Sequence, residues 1–239
     1  MKTNRDVTLL ELGSDEFIVM AADNSGAIGN LPLDTVHVPY SIVAAFGARV
    51  CVMEVMAAGA VPFSFLIHSF NGEEAWTELV RGAEKTFAEL DLKSVEITGS
   101  TESNMKMLQS ASSFTMIGKA NQAALRLNFS QPHAKYAVIG VPLVGEEVVS
   151  RHEDVLPLSL FQKLLHTEGV YEILPVGSKG ITHELEILTR SSRTFTCSLP
   201  MDKSAGPSTC ALISYEPEYS ASIQKLCGRH FYELTEAGL

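Results

Sequence analysis

The chain is poor in cationic residues, with 18 lysines and arginines against 28 acids and a formal net charge of -10. That deficit argues against a nucleic-acid partner, because phosphate-backbone binders gather Lys and Arg on one face and carry a basic balance. Cysteine is scarce as well. Cys51, Cys197, Cys210 and Cys227 form no C-x-x-C pair and sit in apolar or helical surroundings, so they read as buried free thiols of a reducing compartment. No apolar run reads as long enough to span a bilayer uninterrupted, and Met1-Lys2-Thr3-Asn4-Arg5 leads into a strand pattern without a signal-peptide core. The expectation is a cytoplasmic protein with no membrane partner.

Several motifs are missing too. Neither G-x-x-x-x-G-K-[ST] nor a strand-to-helix G-x-G-x-x-G occurs, there is no G-x-S-x-G elbow, and the seven histidines lack metal-ligand spacing such as H-E-x-x-H. His68 closes a strand pattern and is open to either a pocket-facing or an ordinary strand-end position. There is no low-complexity tract or repeat.

What is present is an ordinary globular composition, 46% hydrophobic and 19% charged over 239 residues, enough for one large domain or two intimate ones. Alternation in Val7 to Leu12, a turn at Gly13-Ser14-Asp15, and Phe17 to Met20 predict a hairpin whose second strand ends near Asp23. Thr35 to Val38 reads as a short strand and Pro39 as the start of a buried helix through Ala58. A strand at Pro62 to Ile67, an amphipathic helix at Glu73 to Leu90 and a strand at Ser94 to Thr98 follow, giving βαβαβ order. Further strands are expected at Ser113 to Leu127, Tyr136 to Val141, Tyr171 to Leu174 and Cys210 to Ser214. Helices are expected at Leu158 to His166, His183 to Arg190 and Tyr219 to His230. The charged stretch Gly145 to Pro157 suggests a boundary, with domains 1–144 and 145–239.

Four acids stand at the ends of, or inside, apolar elements: Asp6, Asp23, Asp34 and Glu54. Mg²⁺ is usually held by one or two carboxylates plus substrate phosphates, so acids converging from separate elements suit a Mg-nucleotide site. Asp6 and Asp34 read equally well as solvated turn residues. Glu54 lies in an otherwise apolar helix, where a lone carboxylate is costly; its alternative is a salt bridge to Arg49 or Arg81. Ser25-Gly26-Ala27-Ile28-Gly29 leaves room for backbone amides to approach phosphate, or is simply turn chemistry. Thr98-Gly99-Ser100-Thr101-Glu102 after a strand is a second such loop or an ordinary strand-end turn. Lys179 to Glu184 opens a helix, as an anion site or a plain N-cap by Thr182.

These segments resemble the superfamily of aminoimidazole ribonucleotide (AIR) synthetase, thiamine-monophosphate kinase, selenophosphate synthetase and the hydrogenase maturation factor, enzymes that use ATP without a Walker loop. Arg5-Asp6-Val7 stands where the kinases have G-D-D-A-A, Ala22-Asp23-Asn24-Ser25-Gly26 resembles S-T-D-G-V-G-T-K, and Thr98-Gly99-Ser100-Thr101 resembles G-G-D-T. Met53-Glu54-Val55-Met56-Ala57-Ala58-Gly59-Ala60-Val61-Pro62 resembles S-D-L-A-A-M-G-A-x-P, with Glu54 where aspartate is usual. Ile139 to Gly145 resembles the I-G-L-P-S-S-G junction. Ser100 replaces an acid, with Glu102 two residues on, and the second half matches poorly.

The resemblance implies an α+β, PurM-like two-part fold: an N-terminal mixed sheet with helices on one face, a shorter C-terminal α+β half, and a homodimer joined through a barrel. It implies ATP and Mg²⁺, with Asp6, Asp23 and Glu54 as metal ligands and Asp23, Ser25, Gly26, Gly99, Ser100 and Thr101 near the nucleotide. Among short members the chain is most similar to α-ribazole kinases of cobamide salvage, which phosphorylate a nucleoside-like hydroxyl on a small molecule. The alternatives are a thiamine-monophosphate kinase-like or AIR synthetase-like enzyme, or a non-catalytic nucleotide-binding protein of the same fold.

Overall fold

A computed structural model describes residues 4–191 and 193–237. The chain divides into two compact units, Met1–Leu125 and Arg126–Leu239.

The first unit is built on a five-stranded mixed sheet. Its strands are β1 (Thr8–Glu11), β2 (Glu16–Gly26), β5 (Val61–Ser69), β6 (Glu96–Thr101) and β7 (Ala111–Asn121), in the order β1-β2-β7-β5-β6. Only β5 and β6 pair in parallel. A small parallel pair, β3 (Ile28–Gly29) and β4 (Val36–His37), lies in the connection after β2. Two helices, α1 (Tyr40–Ala57) and α2 (Trp76–Glu89), complete the unit, and α1 packs on β2, β7 and β5. The period of two decides what the sheet buries. Phe17, Val19 and Ala21 on β2, Phe65 and Ile67 on β5, and Phe114 and Met116 on β7 are buried, while the residues between them are not.

Helix α1 is apolar enough and, at 18 residues, long enough to cross a membrane. Arg49 and Glu54 interrupt its apolar run, and its composition answers to burial: Ala44, Ala48, Cys51, Val52, Met53 and Val55 are fully enclosed inside the unit. Small residues let neighbours come close. An added Cβ on Gly47 would stand 2.2 Å from the Phe114 ring, and one on Gly82 of α2 would stand 2.1 Å from the Ser41 carbonyl of α1. The crossing is pinned by Thr86 Oγ1 donating to Ala45 O (3.0 Å) and by Tyr40 N donating to Glu78 Oε2 (3.1 Å), which satisfies one orphan N–H at the start of α1.

The end of α1 explains Gly59-Ala60-Val61-Pro62. Gly59 N donates to Met56 O (2.9 Å) and Ala60 N to Val55 O (3.1 Å), a Schellman cap. Gly59 takes φ +89°, and a Cβ there would meet the Ala124 carbonyl at 2.0 Å.

The second unit has an antiparallel sheet, ordered β10-β12-β8-β11-β9. Its strands are β8 (Lys135–Gly140), β9 (Val170–Pro175), β10 (Phe195–Thr196), β11 (Cys210–Tyr215) and β12 (Phe231–Glu236), with helices α3 (Glu146–Ser150), α4 (Leu158–Leu165), α5 (Gly180–Thr189) and α6 (Ser220–Cys227). Helix α5 packs on β9 and β11, where Val138, Leu174, Ile181, Leu185 and Leu212 share one cluster. Strand β12 follows a helix reading that had stopped at His230. The domain boundary expected between Val144 and Gly145 falls instead between Leu125 and Arg126, so the halves are nearly equal. The cause is pairing: β8 bonds to β11 and β12, which makes it a central strand of the second sheet. Residues 128–130 are fastened to that sheet by buried Glu172, whose carboxylate accepts from Asn128 N (3.0 Å), Phe129 N (2.9 Å), Ser130 N (2.8 Å) and Ser130 Oγ (2.7 Å).

The α1–α2 crossing leaves no room for a side chain at Gly82. Gly82→Ala is expected to lower the stability of the first unit by about 1–3 kcal/mol, since the obstruction is backbone that cannot rotate away. Urea denaturation checks this, and an unchanged midpoint would show that the helices separate freely.

Candidate functional site

Strands β2, β5 and β6 all run the same way, because β7 is antiparallel to both β2 and β5 and β6 is parallel to β5. Their C-terminal residues Gly26, Ser69 and Thr101 therefore reach the same end of the sheet. Asp23, Ser25 and Gly26 on β2 and Gly99, Ser100 and Thr101 on β6 all lie toward that end. They are separated by the intervening β7 and β5, about 14 Å across three strand spacings.

Two local expectations change. Asp23 does not end its strand; β2 continues to Gly26, with Asp23 opposite Phe114. Gly99, Ser100 and Thr101 are not a loop but the last part of β6, paired with Ile67, His68 and Ser69. The glycines also differ in kind. A Cβ on Gly99 would lie 1.9 Å from the Ile67 carbonyl, so strand packing alone requires glycine there, whereas nothing stands within 4 Å of a Cβ on Gly26 and the space beside it is open.

On the helix side, register sets Ser25, Ser112, Ser69 and Thr101 in one row. The middle of the row is held by Asn71, which donates through Nδ2 to Ser112 Oγ (2.8 Å) and accepts at Oδ1 from Ala111 N (2.9 Å). Ser69, Asn71 and Ser112 escaped the sequence reading. The small polar run Ser110 to Ser113 ahead of a strand was the available signal.

Asp23 stands one row deeper and is half-buried. Burial pushes its carboxyl up to about 6, against the opposing effect of the Asn24 backbone N–H. Cys51 on α1 donates to the Phe114 carbonyl (3.6 Å), and its thiol is pushed up first by burial and then by the negative charges of Asp23 and Glu54. Cys51 is therefore a packed thiol rather than a nucleophile. Glu54 is 6% exposed, one turn further along α1, and is engaged with partner groups, as are buried Arg5 and Arg49. Arg81, one expected partner of Glu54, instead pairs with Glu78 (3.4 Å). Asp6 is exposed ahead of β1, on the edge of the sheet.

Asp34 has a framework role. Its carboxylate accepts from Leu31 N (2.8 Å), Ser110 N (2.6 Å) and Ser110 Oγ (2.6 Å). Burial opposes its ionisation, but the Ser110 and Leu31 hydrogen bonds outweigh it and hold the carboxyl below its ordinary range. The bracket joins residues 31–34 to the start of β7, and Gly29 closes on it, since a Cβ there would lie 2.4 Å from Ser110 Oγ.

Mg²⁺ can be tested against these positions. Among the described residues no group of three His, Cys, Asp or Glu side chains is arranged to hold a metal ion. Asp6, Asp23 and Glu54 are thus not a preformed triad, and only Asp23 combines partial exposure with a place near the open sheet end.

No family model and no curated protein matches the chain. Its fold does match solved structures. One is a HypE–HypF complex, at 16% identity, covering 97% of this chain and 86% of that one, with a TM-score of 0.63. Another is AaThiL complexed with AMPPCP and TMP, at 12% identity, 97% and 84% coverage and a TM-score of 0.65. A third is Thermotoga maritima PurL complexed with ATP, at 11% identity and a TM-score of 0.64, where 96% of this chain spans 42% of the longer partner. Their fold is the PurM-like fold that the sequence resemblance implies. At such identities the likeness shows a shared α+β fold.

The raised Asp23 carboxyl carries a stability consequence with a definite sign. Between about pH 4 and pH 6 the folded chain holds a proton that the unfolded chain releases, so stability is lost as pH rises through that window. The loss is about 3 kcal/mol at neutral pH. Asp23→Asn is expected to be more stable than the parent by about that amount near pH 7.5 and close to it near pH 4, as read by urea titration at both values. A less stable variant near pH 7.5 would contradict the assigned burial.

Proposed function

We propose that the chain is an ATP- and Mg²⁺-dependent small-molecule phosphotransferase, moving the γ-phosphoryl group to a nucleoside-like hydroxyl, with α-ribazole of cobamide salvage as the favoured acceptor. The observation that carries this reading is that the C-terminal parts of β2, with Asp23, Ser25 and Gly26, and of β6, with Gly99, Ser100 and Thr101, lie toward the same end of the first sheet. Support comes from neighbours of the same fold solved with AMPPCP or ATP. Thiamine-monophosphate kinase is among them, and a kinase-like or AIR synthetase-like reaction on thiamine phosphate or a related substrate is the nearest enzymatic alternative.

Phosphoryl transfer asks mainly for positioning and for neutralisation of charge on the phosphoryl oxygens. In this reading the open space beside Gly26 admits phosphate to the backbone, Ser25 and Thr101 contribute hydroxyls, and half-buried Asp23 faces a cation. Mg²⁺ would supply the neutralising charge, with Asp23 as its carboxylate and substrate phosphates filling further positions. Asp6 would join from the sheet edge. Glu54, enclosed in α1, would act at most through its neighbours.

A homodimer belongs to the same proposal. Opposite the helices, the other face of the sheet carries the apolar pairs Leu10–Ile18 and Met20–Ile117 and also Leu66, among polar residues such as Thr115 and Lys119, and Leu10 is 47% exposed. A second copy laid on this face would complete a barrel.

A second reading, a nucleotide-binding protein without catalysis, draws on the lack of a preformed acidic triad. Titration calorimetry with ATP and Mg²⁺, followed by ADP release in the presence of α-ribazole and of thiamine monophosphate, separates the two. The expected outcome is Mg²⁺-dependent ATP binding that Asp23→Asn weakens by at least about tenfold, roughly the loss of one charge-assisted contact. ADP release is expected with one acceptor and not without it. Binding with no turnover on either acceptor would favour the second reading, and unchanged ATP affinity in Asp23→Asn would remove Asp23 from the site.

A further inference from the structure

One amide governs the middle of the helix-side hydroxyl row. Asn71 Oδ1 accepts from Ala111 N (2.9 Å), a group that can only donate, and this bond fixes which way round the amide lies. Nδ2 is therefore turned toward the serines. It donates to Ser112 Oγ (2.8 Å) and to Ser69 Oγ (3.4 Å), and Asn71 N also donates to Ser69 Oγ (3.3 Å). Both serines accept from Asn71 and keep their own protons.

Those protons are unspent inside the unit. Ser69 and Ser112 are 2% and 4% exposed, and among the described residues neither hydroxyl donates to a protein acceptor. Enclosed polar groups are ordinarily paired, so two idle donors side by side call for a cause. Asp23, one row deeper on the same side, does not take them, since the bond that opposes the effect of its burial comes from the Asn24 backbone N–H.

Register supplies the next partners. Ser25 lies directly opposite Ser112, and Thr101 directly opposite Ser69. Residues so opposed have Cβ atoms about 5 Å apart, within reach of a cross-strand hydroxyl pair. Ser25 and Thr101 are half-buried where the middle pair is enclosed, and among the described residues their side chains make no hydrogen bond. Each is free to accept from its inner neighbour and to donate outward.

The arm with the shorter bond, Asn71–Ser112–Ser25, ends beside Gly26, where nothing stands within 4 Å of an added Cβ. Along it every group donates in one direction, and each bond strengthens the next. A hydroxyl presented in this way meets an oxygen that accepts and cannot donate, which is the chemistry of a phosphoryl group. A row holding no lysine or arginine is thereby fitted to an anion through neutral donors of fixed polarity.

We propose that Asn71 is the positioning residue of the phosphate site: through Ser112 it sets the Ser25 hydroxyl as a donor toward a phosphoryl oxygen in the open space beside Gly26. The inference rests on the phosphotransfer reading above and deepens it, adding two residues that act through Ser25 rather than on the ligand.

The test is calorimetric titration of the full chain with Mg·ATP and with Mg·triphosphate, which carries phosphate without a base. Asn71→Asp keeps the size of the side chain and the bond from Ala111 N but has no donor, so Ser112 turns its proton inward and Ser25 loses its partner. Affinity for both probes is expected to fall about tenfold or more, the scale of a lost charge-assisted bond. Ser112→Ala is expected to weaken both about threefold or more. The new carboxylate would also repel phosphate without any relay, and the double variant separates the two causes. Through the relay, Ser112→Ala costs nothing further in the Asn71→Asp background; repulsion alone leaves its full cost in both. If Asn71→Asp fails to fold, Ser112→Ala and Ser25→Ala form the cycle instead, again with losses that do not add, and urea denaturation checks that both variants keep the fold. The inference is overturned if Asn71→Asp and Ser112→Ala bind the probes as the parent does, if the losses add in full, if only ATP is affected while Mg·triphosphate binds unchanged, or if the parent binds neither probe. Binding with the expected cycle but no ADP release with either acceptor would instead remove the phosphotransfer reading and leave the positioning of Ser25.

Discussion

Register across β2, β7, β5 and β6 is the constraint on which the rest of the first unit depends. Asp23 opposite Phe114, and Phe114 opposite Ile67, put two large buried side chains and one carboxylate on the same side of the sheet. A slip of one residue in β2 would send Asp23 and Ser25 to the other face and bring Ala22 and Asn24 to the helices, because side chains alternate with a period of two. The slip is opposed by the core itself: Phe17, Val19 and Ala21 would have to leave it together. Helix α1 adds a second lock, since only glycine at position 47 lets it close on the Phe114 ring. Packing in the middle of the sheet thus aims the polar residues at its end.

The two aspartates beside that end illustrate how environment separates one residue type into two roles. Asp34 has its charge met by three donors and fastens the connection after β2 to the start of β7. Asp23 is half-buried with little in return, and that burial raises its carboxyl. A carboxylate kept at such a cost in the folded chain is a natural place for a cation, and removing it should relieve the fold. Stability and binding then move in opposite directions at one position, which a merely structural aspartate would not show.

Much of this was legible in the residues. Alternation in Phe17 to Met20, Pro39 ahead of an apolar helix, and the βαβαβ order all reappear, because they rest on local periodicity and turn chemistry. The Gly59 to Pro62 segment was legible as a family pattern, and its physical content is a left-handed cap and a close approach to the Ala124 carbonyl. What escaped was non-local. Lys135–Gly140 reads as a strand, but nothing within it says which sheet it will join, and the domain boundary was misplaced for that reason. The end of β6 read as a loop because glycine and hydroxyl residues favour turns, and pairing with β5 overrode that preference. Strand β12 was hidden behind a helix pattern that ends a few residues before it.

By itself, then, the sequence determined the main elements of the first unit, the enclosure of α1 and the set of polar residues available near small ones, since each follows from composition and spacing within a few turns of chain. Only the tertiary structure decided which of them meet. Pairing of β2 with β7, and of β5 with both β7 and β6, carries Asp23, Ser25 and Gly26 to the same sheet end as Gly99, Ser100 and Thr101. The same pairing sends Asn24, Ser113, His68 and Ser100 to the opposite side. The physical reason is that strand register is set by which hydrophobic side chains can be buried together, and those partners lie tens of residues apart in the chain.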